Sequence, residues 1–122
     1  MVEIYRKGDY KKTDRRKATR PEDRRVHPRF IFFADCVLTD AASDTHNTRV
    51  TEISMGGCFV DLTAAIAPGT EVHIRVTKEE RTFEAEGRVL YTVPSVGSGI
   101  VFVRVSPENQ GLLEGWIKNL LR

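Results

Sequence analysis

The sequence predicts an all-β domain: a six-stranded antiparallel β-barrel with a C-terminal α-helix and a flexible basic N-terminal arm. Three observations predict it. Apolar residues recur at every second position in a series of short runs between Phe30 and Val105, the period of strands with one buried face. Clusters of turn-forming residues separate these runs, so consecutive strands are antiparallel neighbours. From Ser106 onward the apolar spacing changes to i, i+3, i+4, the period of a helix. Six short strands in meander order avoid exposed edges most simply by closing into a small barrel.

The arm comes first in the chain. Residues 1–29 hold 11 Lys and Arg against 5 Asp and Glu, a net of +6, whereas residues 30–122 hold 8 against 12, a net of −4. In the first part Val2, Ile4, Tyr5, Tyr10 and Val26 are nearly the only large apolar residues. That is too little burial to offset an ordering entropy of about 1–2 kcal/mol per residue, so a mobile arm is expected over 1–23, with the barrel domain occupying 24–122.

The first strand should place Phe30, Phe32, Ala34, Cys36 and Leu38 on one face. The runs NTRVTEIS (47–54), GCFVDLT (57–63), TEVHIRVT (70–77), RTFEAEGRVLYTV (81–93) and GIVFVRV (99–105) supply the other five, divided by TDAASDTHN and AIAPGT. Gly87, inside the longest run, marks an expected bulge. For the helix, Ser106 is the N-cap, Pro107 the first helical residue and Glu108 the first-turn acid. Leu112, Leu113, Trp116, Ile117, Leu120 and Leu121 form its apolar stripe. Gly111 and Gly115 each lower intrinsic helicity by about 1 kcal/mol, so docking must hold this helix in place.

Composition excludes several classes. A chain of 122 residues with 40% hydrophobic content buries one ordinary core. No apolar run approaches the roughly 18–20 residues that cross a bilayer, and MVEIYRKGDYKK has no signal-peptide apolar region, so a cytoplasmic protein without membrane insertion is expected. Cys36 and Cys58, each set among strand-forming apolar residues, fit buried thiols better than a disulfide. His27, His46 and His73 have no cysteine or carboxylate partners at ligand spacing, so no metal is expected. There is no Gly-x-Ser-x-Gly elbow, phosphate loop or HExxH, and Glu79/Glu80 and Glu84/Glu86 read as turn and solvated strand carboxylates. No enzyme and no cofactor are predicted.

The chemistry lies elsewhere, where RRVHPRFIFF (24–33) sets three arginines against a strand. Guanidinium stays charged inside proteins and presents five donors in a planar fork suited to phosphate, carboxylate and the acceptor edge of guanine. Arg-x-x-x-Arg occurs at Arg16/Arg20, Arg20/Arg24 and Arg25/Arg29, so counting does not choose among them. Position does: the third ends one residue before the first strand, and Pro28 holds the chain extended there. Further on, Ser54, Met55, Gly56 and Gly57 form a turn in which paired glycines permit positive φ and leave N–H groups open to approach. Taken alone, Ser-x-Gly-Gly is also ordinary hairpin punctuation.

In combination, Arg25-x-x-x-Arg29 before the first strand, Glu52-x-Ser54-x-x-Gly57 some two strands later, and Gly99-Ile-Val-Phe102 before a terminal helix resemble the PilZ domain family of cyclic di-GMP receptors. The resemblance covers most of residues 24–121. It implies a six-stranded barrel with a C-terminal helix and a ligand, cyclic di-GMP, lying between the arginine loop and the serine–glycine turn. It further implies Arg25 and Arg29 on phosphate and guanine, Ser54 as a polar contact, and Gly56 and Gly57 where the backbone approaches the ligand. Arg24 matches the position before the first motif, where an arginine accompanies an intercalated ligand dimer. Glu52 departs from the family's Asp or Asn, which accepts from guanine N1–H and N2–H; it keeps the charge and adds one methylene.

The resemblance thus implies a bacterial second-messenger adaptor that orders its arginine loop on binding and signals to a downstream protein, in motility, biofilm or exopolysaccharide control. The alternative is a nucleic-acid-binding small barrel whose basic arm contacts phosphates.

Overall fold

The structure, a computed structural model, describes residues 27–62 and 66–121. The arm, Arg24 and Arg25 lie outside the described residues. The chain forms six strands, β1 (Phe30–Asp40), β2 (Thr45–Ile53), β3 (Gly57–Asp61), β4 (Glu71–Lys78), β5 (Arg81–Val93) and β6 (Gly97–Arg104), then α1 (Pro107–Leu120). All neighbours are antiparallel, and the ring runs β1-β2-β3-β6-β5-β4 and back to β1. The closing ladder joins Asp35–Asp40 of β1 to Val72–Thr77 of β4. Closure gives every strand two partners and removes the unpaired edges that an open sheet would present.

Alternation works as expected in β1 and β4. Phe32, Ala34, Cys36 and Leu38 point inward while Ile31, Phe33 and Asp35 face out, and Val72, Ile74 and Val76 point inward from β4. Strand bounds move where side chains or tight turns intervene. Asp40 accepts from the N–H groups of Ala42 and Asp44, at 3.0 Å each. This compresses the turn, so β2 begins at Thr45, inside the stretch that reads as loop. The β5–β6 hairpin is equally tight, with Val93 already paired to Gly97, so β6 starts two residues earlier than its apolar run. An irregularity does fall at Gly87, but the extra residue belongs to the facing strand. Glu86 pairs with Arg104 and Gly87 with Phe102, which leaves Val103 of β6 without a partner in the ladder, so the bulge is on β6 and not on the strand that carries Gly87.

The barrel interior and the underside of α1 form one apolar cluster that includes both cysteines, which are free thiols. Ser106 caps the helix by accepting from the Asn109 N–H at 3.2 Å, and Asn109 in turn accepts from the Glu84 N–H of β5 at 2.9 Å. That bond ties the first turn of α1 to the sheet. Leu113 and Ile117 are buried, and Trp116 packs at ring-centroid distances of 5.2 Å from Phe32 and 6.3 Å from Phe83. Leu121 departs from the expected stripe: the helix ends at Leu120, and Leu121 remains exposed. Among the described residues no helix is long and apolar enough to cross a membrane.

Candidate functional site

A bulge in β2 creates the site's first feature. Val50 points into the core, so strict alternation would send Glu52 inward and Ile53 outward. The β2–β3 ladder instead skips a residue between Val50 and Glu52. Ile53 therefore becomes fully buried, and the Glu52 carboxylate reaches the outer face. The bulge spares the fold the large cost of burying a carboxylate.

Register then delivers its partner. Phe30 pairs with Ile53 and Ile31 with Glu52, which brings Arg29, just ahead of β1, beside the bulge. Arg29 Nε lies 3.4 Å from Glu52 Oε1, an ion pair whose side chains are 29% and 42% exposed. Solvent at that level screens the attraction, so the pair contributes little to stability and both groups stay accessible to a ligand.

The next turn is organised by Ser54, which is buried. Its N–H donates to the Gly57 carbonyl at 2.9 Å, and its Oγ accepts from the N–H groups of Gly56 and Gly57, at 3.1 Å each. Two expectations are corrected here. The Gly56 and Gly57 N–H groups are engaged by Ser54 rather than open, and neither glycine adopts positive φ; among the described glycines only Gly69 does. Their small size serves close packing instead. A Cβ on Gly57 would stand 2.1 Å from the Ile100 carbonyl oxygen on β6, and one on Gly56 would meet the His27 ring at 3.0 Å. Ser54 thus shapes the turn, with its hydroxyl already committed within it.

Arg29, Glu52, Ser54, Gly56 and Gly57 all border one open concavity of about 240 Å³ on the outside of the barrel. The structure brings these five predicted residues together, while Arg24 and Arg25 lie outside the described residues. Elsewhere the charged groups pair locally. His46 meets Asp40 at 3.1 Å, and His73 lies between Glu84 at 3.1 Å and Glu86 at 3.4 Å. These histidines do have carboxylate partners, found across turns and ladders rather than at a sequence spacing. The His46 bond, with help from the turn N–H groups, holds the Asp40 carboxyl below its ordinary value. Among the described residues no group of three or more His, Cys, Asp or Glu is arranged to hold a metal.

The sequence model of the PilZ domain matches residues 23–119. The chain belongs to the PilZ family. Solved structures agree on the fold. The PilZ domain with c-di-GMP of YcgR from Escherichia coli superposes with a TM-score of 0.67 at 20% identity, covering 81% of this chain and 92% of that one. The PilZ domain of CeSA from a cellulose-synthesizing bacterium gives 0.64 at 14%, covering 78% and 99%. The Bacillus subtilis inhibitor of motility MotI gives 0.65 at 23%, covering 80% of this chain and 51% of that one, so this chain spans about half of its length. No curated protein sequence matches the chain.

In this PilZ domain the concavity has an apolar component that the motifs do not contain. Phe59 of β3, Leu90 and Tyr91 of β5 and Val101 of β6 line it, together with His27. The signal for them is present in the sequence only indirectly. Gly97 and Gly99 sit two apart in a strand, each leaving a gap in the outer face that a ring on a neighbouring strand can cover.

Proposed function

We propose that this PilZ domain is a receptor for cyclic di-GMP, an adaptor that performs no chemistry on the ligand. The observation that carries this is the convergence of Arg29, Glu52 and the Ser54–Gly57 turn on one open concavity. Cyclic di-GMP offers two phosphodiester anions and two guanines whose O6/N7 edges accept an arginine fork. Arg29 serves either acceptor, and Arg25, four residues earlier, supplies a second guanidinium. In the free chain Glu52 holds Arg29, so binding exchanges that screened pair for ligand contacts, with Glu52 accepting from guanine N1–H and N2–H. Kinship with YcgR, whose PilZ domain has been solved with c-di-GMP, supports the reading. Binding orders residues from about Arg20 to Arg29 against the barrel, and the altered surface signals to a downstream protein.

Titration calorimetry tests this. Wild type is expected to bind two ligands per chain, and Arg24→Leu to move the stoichiometry toward one. Arg25→Ala and Arg29→Ala should each remove a charge-assisted hydrogen bond worth about 1.5–3 kcal/mol, while Arg16→Ala changes little. Glu52→Gln should weaken binding about tenfold, because it removes the charge, whereas Glu52→Asp should weaken it little or improve it by restoring the family's side-chain length. Hydrogen exchange should show protection gained at Arg24–Arg29 and Ser54–Gly57 with the central strands unchanged. No heat with wild type at high micromolar ligand, or an equal loss at Arg16, would overturn the reading. Binding to single strands that collapses steeply with salt would support the nucleic-acid alternative.

A further inference from the structure

Two aromatic rings meet over a strand residue that has no side chain. Phe59 is the β3 partner of Gly99, and Tyr91 is its β5 partner. Rings borne on strands two apart would stand about 10 Å from each other if both rose straight from the sheet. Their centroids are 6.1 Å apart, with the planes inclined at 34°. Glycine permits this. A Cβ on Gly99 would lie 2.5 Å from the Tyr91 ring, and a Cβ on Gly97 would lie 2.6 Å from the Phe59 ring. Both rings therefore lean over bare backbone on the outside of the barrel, where each is only partly buried.

Covering glycine in a sheet accounts for one ring at each gap. It does not account for the concavity that remains open beside both rings, nor for its polar border. Ile31, Glu52, Phe59, Gly99 and Tyr91 run in register across five neighbouring strands, so the Glu52 carboxylate is the next side chain in the row beside Phe59. Arg29, paired with Glu52, lines the same concavity. A partly exposed aromatic surface flanked by an acceptor and a guanidinium matches a purine base, which has apolar faces and a polar edge.

We infer that Phe59 and Tyr91 form a stacking platform for one purine base of the bound nucleotide, an inference that rests on the receptor reading above. The rings supply face-on attraction, and Gly97 and Gly99 act by letting them converge. Stacking is indifferent to base identity because every base has a π-face. Selection of guanine therefore falls to Glu52 and Arg29 at the border. The platform also orients the base, since a ring held flat on two side chains can present its edge in only a few ways.

The test uses the full chain with cyclic di-GMP as probe. Tyr91→Leu and Phe59→Leu should each weaken binding by roughly 5- to 150-fold, the range for losing one base–aromatic stack, whereas Tyr91→Phe stays near wild type. Nuclear magnetic resonance of wild type should show a guanine H8 signal shifted upfield by the rings, with cross-peaks to Tyr91 ring protons. Those cross-peaks decide the matter even if a leucine variant fails to fold. Wild-type binding without cross-peaks or upfield shift, or leucine variants that fold and bind like wild type, overturns the platform and leaves the receptor intact. Absence of any binding to wild type overturns both.

Discussion

Gly56 and Gly57 are adjacent in one turn, yet a methyl group added to each meets different surroundings. At Gly57 it strikes the backbone of β6, which cannot yield without parting the β3–β6 ladder. At Gly56 it meets the His27 imidazole, a side chain that can rotate away. Gly57→Ala is therefore expected to cost about 1–3 kcal/mol, with each kcal/mol lowering the melting temperature by about 4–8 °C in a domain of this size. Gly56→Ala should stay within about 0.5 kcal/mol of wild type. Thermal melts followed by circular dichroism check both. Equal losses at the two positions would mean that the turn, and not the strand contact, requires glycine. The same contrast explains what was legible here. The motif pointed to Gly57 as a site residue, but its packing partner Ile100 lies on a strand far away in sequence, and no local pattern announces that approach.

At the scale of elements, α1 was the most legible part of the chain. Cap, first-turn proline and apolar stripe are all local signals, and each appears in the structure as read except at Leu121, which falls past the helix end and stays exposed. Alternation exposed β1 and β4 equally well. It failed at β2, because a bulge at Thr51 reverses the parity of every later residue, and bulges answer to the neighbouring strand's register. Phe59 and Tyr91 escaped notice for a related reason: an aromatic in an alternating run reads as core until its face of the sheet is known. The helix also carries a testable weakness. Gly111 and Gly115 are exposed, adopt no positive φ, and have open space where a Cβ would stand. Gly111→Ala and Gly115→Ala should each stabilise the domain by about 0.4–1 kcal/mol, measured as a raised urea midpoint with an unchanged slope. A lowered midpoint at either position would overturn this reading of the helix.

At the scale of the whole molecule, the interior is dry enough to suppress thiol chemistry. Burial pushes the Cys36 thiol up to about 12, and burial together with nearby Cys36 holds Cys58 well above the ordinary thiol range. From the unfolded value of about 8.5 upward, the unfolded chain releases protons that the folded chain keeps. Stability should thus fall as pH rises through that window, by up to about 1.4 kcal/mol per pH unit for each thiol, and should not depend on these groups below it. Urea melts between pH 8 and 10 on wild type and on a Cys36→Ala, Cys58→Ala variant would show the difference, and a thiol reagent should label the native protein only through unfolding. The closed ring that keeps this interior dry also governs how the chain reaches it. Ladders β1–β4 and β3–β6 join segments far apart in sequence, so much of the entropy of closing long loops is spent before the ring's last contacts repay it. Folding should accordingly take milliseconds to seconds rather than microseconds, and until the last ladder zips, nascent chains display open strand edges to one another. A domain immune to edge pairing once finished is most exposed to it while being made.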